Sequence, residues 1–418
     1  MQNFLLITYR FPPVLGANSV RIGKFAKYLP ELGWMPVVFT SNLRKSKFSA
    51  REIDNQLLDH IPTGVKIFRI SSMQTDFRGA WRLDRWLPEP GLLTSWVIRS
   101  VFLGITEAKK NACEAVMSSA TPGACHIIGF VISKWLKIPL IIEYRDQWSN
   151  NPYRTFANPF HSRWVRFLEK KVLQASSAII TVSDQRAAEM ASFWNIPLED
   201  IHVIPNGIDL DDFKTIARHE AQTGAMTLKI RHIGTIYGGR ETSFLRFMEK
   251  LGQVPLDSWY KAGIREICIE LVGDTPDIIF DKAKSLCSSA IIITKRHTVN
   301  YKTAIQLMCD ASMLLLVIGD YNSSNAETPS KIYEYLASKV PVIVCGKSLA
   351  VDAIMKDIPR IAFYYPSSDE IEKLPFAVRE LITTYSQYAD KIDINQCSRE
   401  QGAKKLATLL SSLVRKSV

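Results

Sequence analysis

Short apolar runs separated by helix-like stretches recur along almost the whole chain, and this alternation constrains the fold more than any other feature. Met1 to Tyr9 reads as a strand, Ser19 to Leu32 as a helix closed by Gly33, and Met35 to Thr40 as a second strand. Further buried strands are predicted at Ala115 to Ser118, Pro139 to Glu143, Ala178 to Val182 and His202 to Ile204. A second series runs through Leu228 to Ile233, Glu266 to Val272, Ala290 to Thr294, Met313 to Val317, Val340 to Val344 and Arg360 to Tyr364. The helices between carry apolar residues at helical spacing, as with Phe167, Val172 and Leu173 around Glu169, Lys170 and Lys171. Parallel strands joined by crossover helices give an α/β fold. Two series give two Rossmann-like, doubly wound domains, which the reading sets facing across a cleft. The stretch Gly207 to Thr227, rich in Asp, Gly and Ala, separates them. The predicted boundaries are 1–206, 207–395, and a C-terminal helix over 396–418 that packs back toward the N-terminal domain.

The chain has 418 residues, enough for two or three domains, each with its own core. Hydrophobic residues at 47% and charged residues at 22% exclude a disordered or fibrous chain. The longest apolar runs, Met313 to Ile318 and Ala290 to Ile293, fall far below the roughly 18 residues that span a bilayer. The start, MQNFLLITYRFPP, reads as a strand and not as a signal peptide. Seven scattered cysteines without a CxxC exclude a disulfide framework and structural zinc. A cytoplasmic protein is the reading. Its charge is uneven. Residues 1–205 carry 25 Lys and Arg against 16 Asp and Glu, whereas residues 206–418 carry 27 against 25. An anionic partner of the first half is one reading and plain solubility the other.

Ligands of open parallel sheets bind beyond the carboxyl ends of the strands, so the loops there hold the candidate chemistry. Phe11-Pro12-Pro13-Val14-Leu15-Gly16-Ala17-Asn18-Ser19 leaves backbone N–H groups approachable at Gly16 and Ala17, just before a helix start. It matches neither a P-loop nor GxGxxG. Ser118 to His126 places His126 in the first turn of a helix, where the dipole favours a neutral ring; a structural histidine is the other reading. Glu143, Arg145 and Asp146 end a buried strand, either in a functional cluster or as a clamp fixing the loop. In the second half, Ile233-Gly234-Thr235-Ile236-Tyr237-Gly238-Gly239-Arg240 joins three glycines to a guanidinium, a combination suited to a nucleotide diphosphate. Ser330 and Lys331 open a helix toward a phosphate, with Ile332 following, and Glu334 one turn along could take both hydroxyls of a ribose. Asp209-Leu210-Asp211 follows the Asn206-Gly207 turn and reads as a solvated linker, not as a metal-binding DxD.

Taken in order, these stretches resemble the GT-B fold glycosyltransferases of family 4, group 1, of the bacterial cell-surface polysaccharide type. FPPVLGANSVRIGKFAKYLPELGW is similar to the family's N-terminal pattern, SSATPGACHIIG and IPLIIEYRDQW to its proline turn, histidine and DxRDxW stretch, and VIPNGIDLDDF to its NG(V/I)D signature. IGTIYGGR resembles its phosphate loop and PSKIYEYLASKVPVIV its donor-binding helix. The resemblance implies transfer of a sugar from a nucleoside-diphosphate sugar, UDP-linked before GDP-linked, with retention and with no metal or cofactor. The implied acceptor is a lipid-linked saccharide at the inner face of the cytoplasmic membrane. The C-terminal domain would hold the nucleotide through Gly234, Thr235, Arg240, Ser330, Lys331, Ile332 and Glu334. His126, Arg240 and Lys331 would be catalytic, His126 at the donor sugar and the two cations on the leaving diphosphate. Gly16 and Ala17 would lie near the donor phosphate or acceptor, with Arg21, Glu143, Arg145 and Asp146 on the acceptor side. The family's acidic pair is spaced E-x7-E, but here Ala326 stands eight residues before Glu334 and Glu327 one position later.

Three further readings remain open on the sequence: a sugar-nucleotide epimerase of similar fold, a nucleotide-binding scaffold without activity, and a nucleic-acid binder suggested only by the charge of +11. No recognition motif supports the last. Finally, Phe77 to Ile105 mixes Trp81, Trp86 and Trp96 with Arg78, Arg82, Arg85 and Arg99, the composition of a segment docking on an anionic membrane surface. The alternative is that these tryptophans fill the domain's own core.

Overall fold

Every other residue of a strand faces the same side of its sheet, and the chain uses both sides. In the first strand Phe4 and Leu6 enter one core while Leu5 and Ile7 enter the other. Both faces are therefore covered, which explains why the sequence shows continuous apolar runs and no alternation. The computed structural model describes residues 1–42, 52–71, 89–151, 154–156, 158–214, 216, 226–320, 326–363, 368–389 and 391–417.

Two units result. Unit 1 comprises Met1–Asn206 with Arg399–Val418, and unit 2 comprises Gly207–Ser398. Unit 1 carries strands β1 (Gln2–Thr8), β2 (Trp34–Ser41), β3 (Lys66–Ile70), β4 (Cys113–Ala120), β5 (Leu140–Tyr144), β6 (Ala178–Thr181) and β7 (Ile201–Val203), in the spatial order β3-β2-β1-β4-β5-β6-β7. All are parallel, and the order reverses between β1 and β4. The apolar pattern did not reveal β3, because Lys66 and Arg69 interrupt it and only Ile70 is fully buried. Helices α1 (Ala17–Tyr28), α2 (Thr94–Lys110), α3 (Ala124–Leu136), α4 (Pro159–Ala175) and α5 (Asp184–Trp194) cover the faces. Helix α1 ends sooner than the periodicity predicts: Pro30 cannot continue it, and a 3-10 turn over Pro30–Leu32 leads to left-handed Gly33.

One orientation within α4 reverses the sequence reading. Val165, Glu169, Val172 and Leu173 form the buried stripe, whereas Phe167 is half exposed. The stripe at i, i+4, i+7 and i+8 carries Glu169 inward with it. Its carboxylate accepts the Ser149 N–H at 2.8 Å.

Unit 2 carries β8 (Met226–Ile233), β9 (Ile264–Val272), β10 (Ile291–Arg296), β11 (Met313–Val317), β12 (Val342–Cys345) and β13 (Ile361–Phe363), in the parallel order β10-β9-β8-β11-β12-β13. Its order reverses between β8 and β11. Its helices include α6 (Arg240–Gly252), α7 (Leu256–Lys261), α8 (Asp277–Ser285), α9 (Tyr301–Cys309), α10 (Lys331–Ser338), α11 (Leu349–Ile354), α12 (Ser368–Thr384) and α13 (Ser386–Ala389). The last helix, α14 (Arg399–Ser417), belongs to unit 1: Leu406, Leu410 and Val414 pack with Phe25 and Leu29 of the α1 region, and the Trp34 indole N–H donates to Ser411 Oγ at 3.1 Å. The Asp209 region is not a solvated linker. Asp209 is buried and caps the short turn Leu210–Phe213 by accepting the Asp211 N–H.

Candidate active site

The carboxyl ends of β8 and β11, where the strand order of unit 2 reverses, collect its chemistry. Strand β8 runs into Gly234, whose φ of +121° suits glycine, and a Cβ there would lie 2.6 Å from Lys331 Nζ. The lysine, first residue of α10, thus rests directly over the bare backbone of the Gly234 turn. Burial, then the Arg240 charge, lowers its ammonium to about 7 against the opposing pull of Glu334 and Glu327. An incoming anion would reverse that balance.

His232, two residues before Gly234, was not anticipated from the sequence. It is wholly buried, and its Nδ1 lies 2.9 Å from the Leu315 carbonyl, which requires the proton on that nitrogen. Nε2 is left as an acceptor, 3.4 Å from Lys331 Nζ. Burial and the neighbouring lysine keep the ring neutral. The available signal was a histidine inside an apolar parallel strand just before a glycine turn.

Arg240 opens α6, with its guanidinium 5.0 Å over the Tyr237 ring. Its Nε donates to Glu327 Oε1 at 3.0 Å and Nη2 makes a second bond to the same oxygen. Glu327 Oε2 accepts the Gly319 N–H at 3.0 Å. The acid that stands one place off the family spacing is therefore the carboxylate that fixes Arg240. Glu334, partly exposed, accepts the Tyr301 hydroxyl at 3.2 Å. Thr235 and Ser330 are partly exposed beside these groups in the chain. Ile332 does not join them: its side chain is in the core and its N–H bonds the Pro329 carbonyl, so it has neither surface nor donor for a ligand.

In unit 1, Gly16 and Ala17 are exposed at the start of α1, after β1. Arg21 and Glu143 depart from the sequence reading. They form an ion pair at 2.8 Å that is essentially shut from solvent, so neither can meet an acceptor from there. Arg21 also donates to the Pro205 and Ile204 carbonyls, and Ser119 Oγ donates to Glu143. Burial pushes the Glu143 carboxyl up, but Arg21, then Arg145 and the Ser119 hydroxyl, outweigh it and hold it below its usual value. The pair ties α1 and β5 to the end of β7. Arg145 is half-buried and donates to the Ala120 carbonyl at 2.7 Å, and Asp146 is exposed.

His126 lies in the first turn of α3 with no surface exposed. Its Nδ1 is 2.8 Å from Ser118 Oγ, and its ring packs between Tyr144 and Trp148 at 4.7 and 6.0 Å. The ring is neutral, as its position suggests, but the cause is chiefly burial, which drives it down to about 3. Gly123 makes room for this stack, since a Cβ there would overlap the Trp148 indole. A substrate does not reach the ring in this state, which corrects the reading of His126 as a direct sugar contact. The residues of the tryptophan–arginine segment divide. Trp81, Trp86, Arg78, Arg82 and Arg85 lie outside the described residues, Arg99 is exposed, and Trp96 is wholly buried against Tyr9, so it is a core residue and no membrane anchor.

A groove of about 610 Å³ on unit 1 lies elsewhere, between the amino ends of β6 and β7 and α14, where open sheets do not bind their ligands. Among the described residues no three His, Cys, Asp or Glu side chains gather as a metal would require. No helix among them is long and apolar enough to cross a membrane.

Residues 19–212 match the model of Glycosyltransferase Family 4, a span that covers most of unit 1 and enters unit 2 as far as Asp212. The chain carries a glycosyltransferase family 4 domain. Its two parallel-sheet units have the GT-B fold. A glycosyltransferase from Rickettsia africae ESF-5 aligns over 99% of this chain and 98% of its own at 13% identity, with a TM-score of 0.66. The sucrose-phosphate synthase of Thermosynechococcus elongatus aligns over 100% of both chains at 13% identity and 0.67. The UDP-GlcNAc 2-epimerase of Neisseria meningitidis, solved bound to UDP-GlcNAc, aligns over 99% and 100% at 13% identity and 0.57. No curated protein sequence matches the chain.

Proposed function

We propose that this family 4 domain protein is a retaining glycosyltransferase. In this reading it moves a sugar from a nucleoside-diphosphate sugar, UDP-linked before GDP-linked, to a lipid-linked glycan of cell-surface polysaccharide biosynthesis, working at the inner face of the cytoplasmic membrane. The observation that carries the reading is the convergence of Gly234, Lys331, Arg240 and Glu334 at one sheet reversal. A diphosphate needs close backbone and cations, and a ribose needs a carboxylate.

In the transfer step the bond from the anomeric carbon to the phosphate oxygen breaks, the nucleoside diphosphate leaves with the electron pair, and the acceptor hydroxyl bonds to the same face of the sugar as its proton passes to the departing diphosphate oxygen. Lys331 and Arg240 would stabilise the charge gathering on the leaving oxygen, a contribution of roughly 3–4 kcal/mol for a single preorganised donor. To engage the phosphate, Arg240 would exchange at least part of its bond to Glu327. With two cations there, the reading requires no metal. His126 acts as a positioning residue: bonded to Ser118 and packed on Trp148, it supports the turn between β4 and α3 from behind.

A panel of UDP-, GDP- and dTDP-sugars tests donor binding. The matching donor should raise the melting temperature, and Glu334→Ala should weaken its affinity by about 1–3 kcal/mol on calorimetry. Unchanged affinity in that variant would remove Glu334 from the site, and no response to any sugar nucleotide would overturn the reading. The likeness in fold to the Neisseria epimerase supports a second reading, interconversion of a sugar nucleotide without transfer.

A further inference from the structure

Strand β7 ends the sheet of unit 1, so one side of it is an open edge. Successive residues of a strand turn their N–H and C=O groups to opposite sides, and the Ile204 N–H turns inward, donating to the Thr181 carbonyl at 2.9 Å. The Ile201 carbonyl and the Val203 N–H therefore face the open edge, while the Ile201 N–H is held by the Leu198 carbonyl. Such an edge is a template for another strand. A groove follows it. The 610 Å³ hollow between β7 and α14 continues past His202, Leu409 and Ser412 into a second of about 530 Å³, since these three residues line both.

The two ends of this groove carry opposite charge. Glu199 and Asp200, both exposed, stand at one end, where Lys170 also lines the wall. Lys404 and Lys405, both exposed, stand at the other beside Val203 and Ile204. Glu400 holds Lys404 at 2.6 Å, whereas among the described residues Lys405 and Glu199 have no ion-pair partner. An antiparallel copy of β7, related by a two-fold axis through His202, fits both the edge and the charges. Ile201 then stands opposite Val203 of the second copy, so the Val203 N–H of each meets the Ile201 carbonyl of the other. Asp200 stands opposite Ile204 of the second copy, which sets the acidic end of each groove against the lysine end of the other. One isologous contact thus satisfies both ends at once. We infer that β7 and the groove beside it are a self-association surface, on which a second copy of this chain adds its own β7 antiparallel and continues the sheet. The inference concerns unit 1 alone and does not depend on the donor reading.

Sedimentation velocity on the full chain from about 1 to 100 µM tests it, and a reversible dimer is expected in that range because the contact is small. Glu199→Lys/Asp200→Lys and Lys404→Glu/Lys405→Glu should each weaken self-association about tenfold or more, since each sets like charges together at both ends. Mixed in equal amounts, the two variants should recover the parent's association, because opposite charges meet again; that recovery also excludes misfolding as the cause of either loss. His202 lies on the axis, where the Cα atoms of a non-hydrogen-bonded pair are about 4.5 Å apart, within disulfide reach. His202→Cys should therefore cross-link to a dimer under mild oxidant, whereas the parent and Glu199→Cys, which faces Pro205 of the second copy, should not. A chain that stays monomeric to about 100 µM would overturn the inference. So would dimers that survive both charge reversals, a mixture that restores nothing, or a His202→Cys chain that cross-links no faster than the Glu199→Cys control.

Discussion

Lys331 and Arg21 show how burial assigns different work to two cations. Arg21 is enclosed with a full carboxylate partner and two backbone carbonyls, so its charge is settled within the fold. Lys331 meets a neutral histidine acceptor and a bare glycine turn, with Arg240 repelling it and Glu327 and Glu334 attracting it. Its ammonium titrates at about 7 when no anion is bound. A bound diphosphate favours the protonated form and raises that value. Nucleotide affinity should therefore be highest below about pH 7 and fall as pH rises through the bound value, with proton uptake on binding at about pH 8. Calorimetry in two buffers of different ionisation enthalpy measures that uptake. Lys331→Arg should abolish it, because a guanidinium stays charged throughout. Affinity that holds constant from about pH 6 to 9 would mean that Lys331 does not face the phosphates.

At the scale of elements, the sheet reversals decide what chemistry can gather. The β8/β11 reversal brings together residues from 232 to 334 without a long-range motif, because each lies at or beyond the carboxyl end of one of two neighbouring strands. The strands and the Gly234 and Lys331 turns were legible in the sequence, since buried parallel strands are apolar and glycines mark close backbone approach. Other features were hidden for physical reasons. Strand β3 is a half-exposed edge, Glu169 looks solvated until its helical phase is known, and the Arg21–Glu143 pair joins residues far apart in sequence. His232 looked like one more strand residue. The last helix also acts as an element of unit 1: its Leu410 is wholly buried with Phe25 and Trp34. Leu410→Ala should destabilise unit 1 by about 2–5 kcal/mol in urea unfolding, while leaving sugar-nucleotide affinity in unit 2 unchanged. A loss below about 1 kcal/mol would show that α14 is not part of that core.

For the molecule as a whole, the two units carry separate assignments. Unit 2 holds the residues suited to a nucleotide diphosphate, and unit 1 holds the family 4 match, the excess positive charge and the aromatic-basic face of α4. A transferase whose acceptor sits in a bilayer accounts for all four features, whereas an epimerase accounts only for the nucleotide-binding residues of unit 2. One measurement separates them most directly. The protein is incubated with a sugar nucleotide labelled in the sugar, with and without a membrane lipid extract, and both the lipid phase and the released nucleotide are counted. Transfer predicts label entering the lipid phase in step with nucleoside diphosphate, only when lipid is present, and with the anomeric configuration retained. An epimerised donor in the aqueous phase with no labelled lipid would contradict the account.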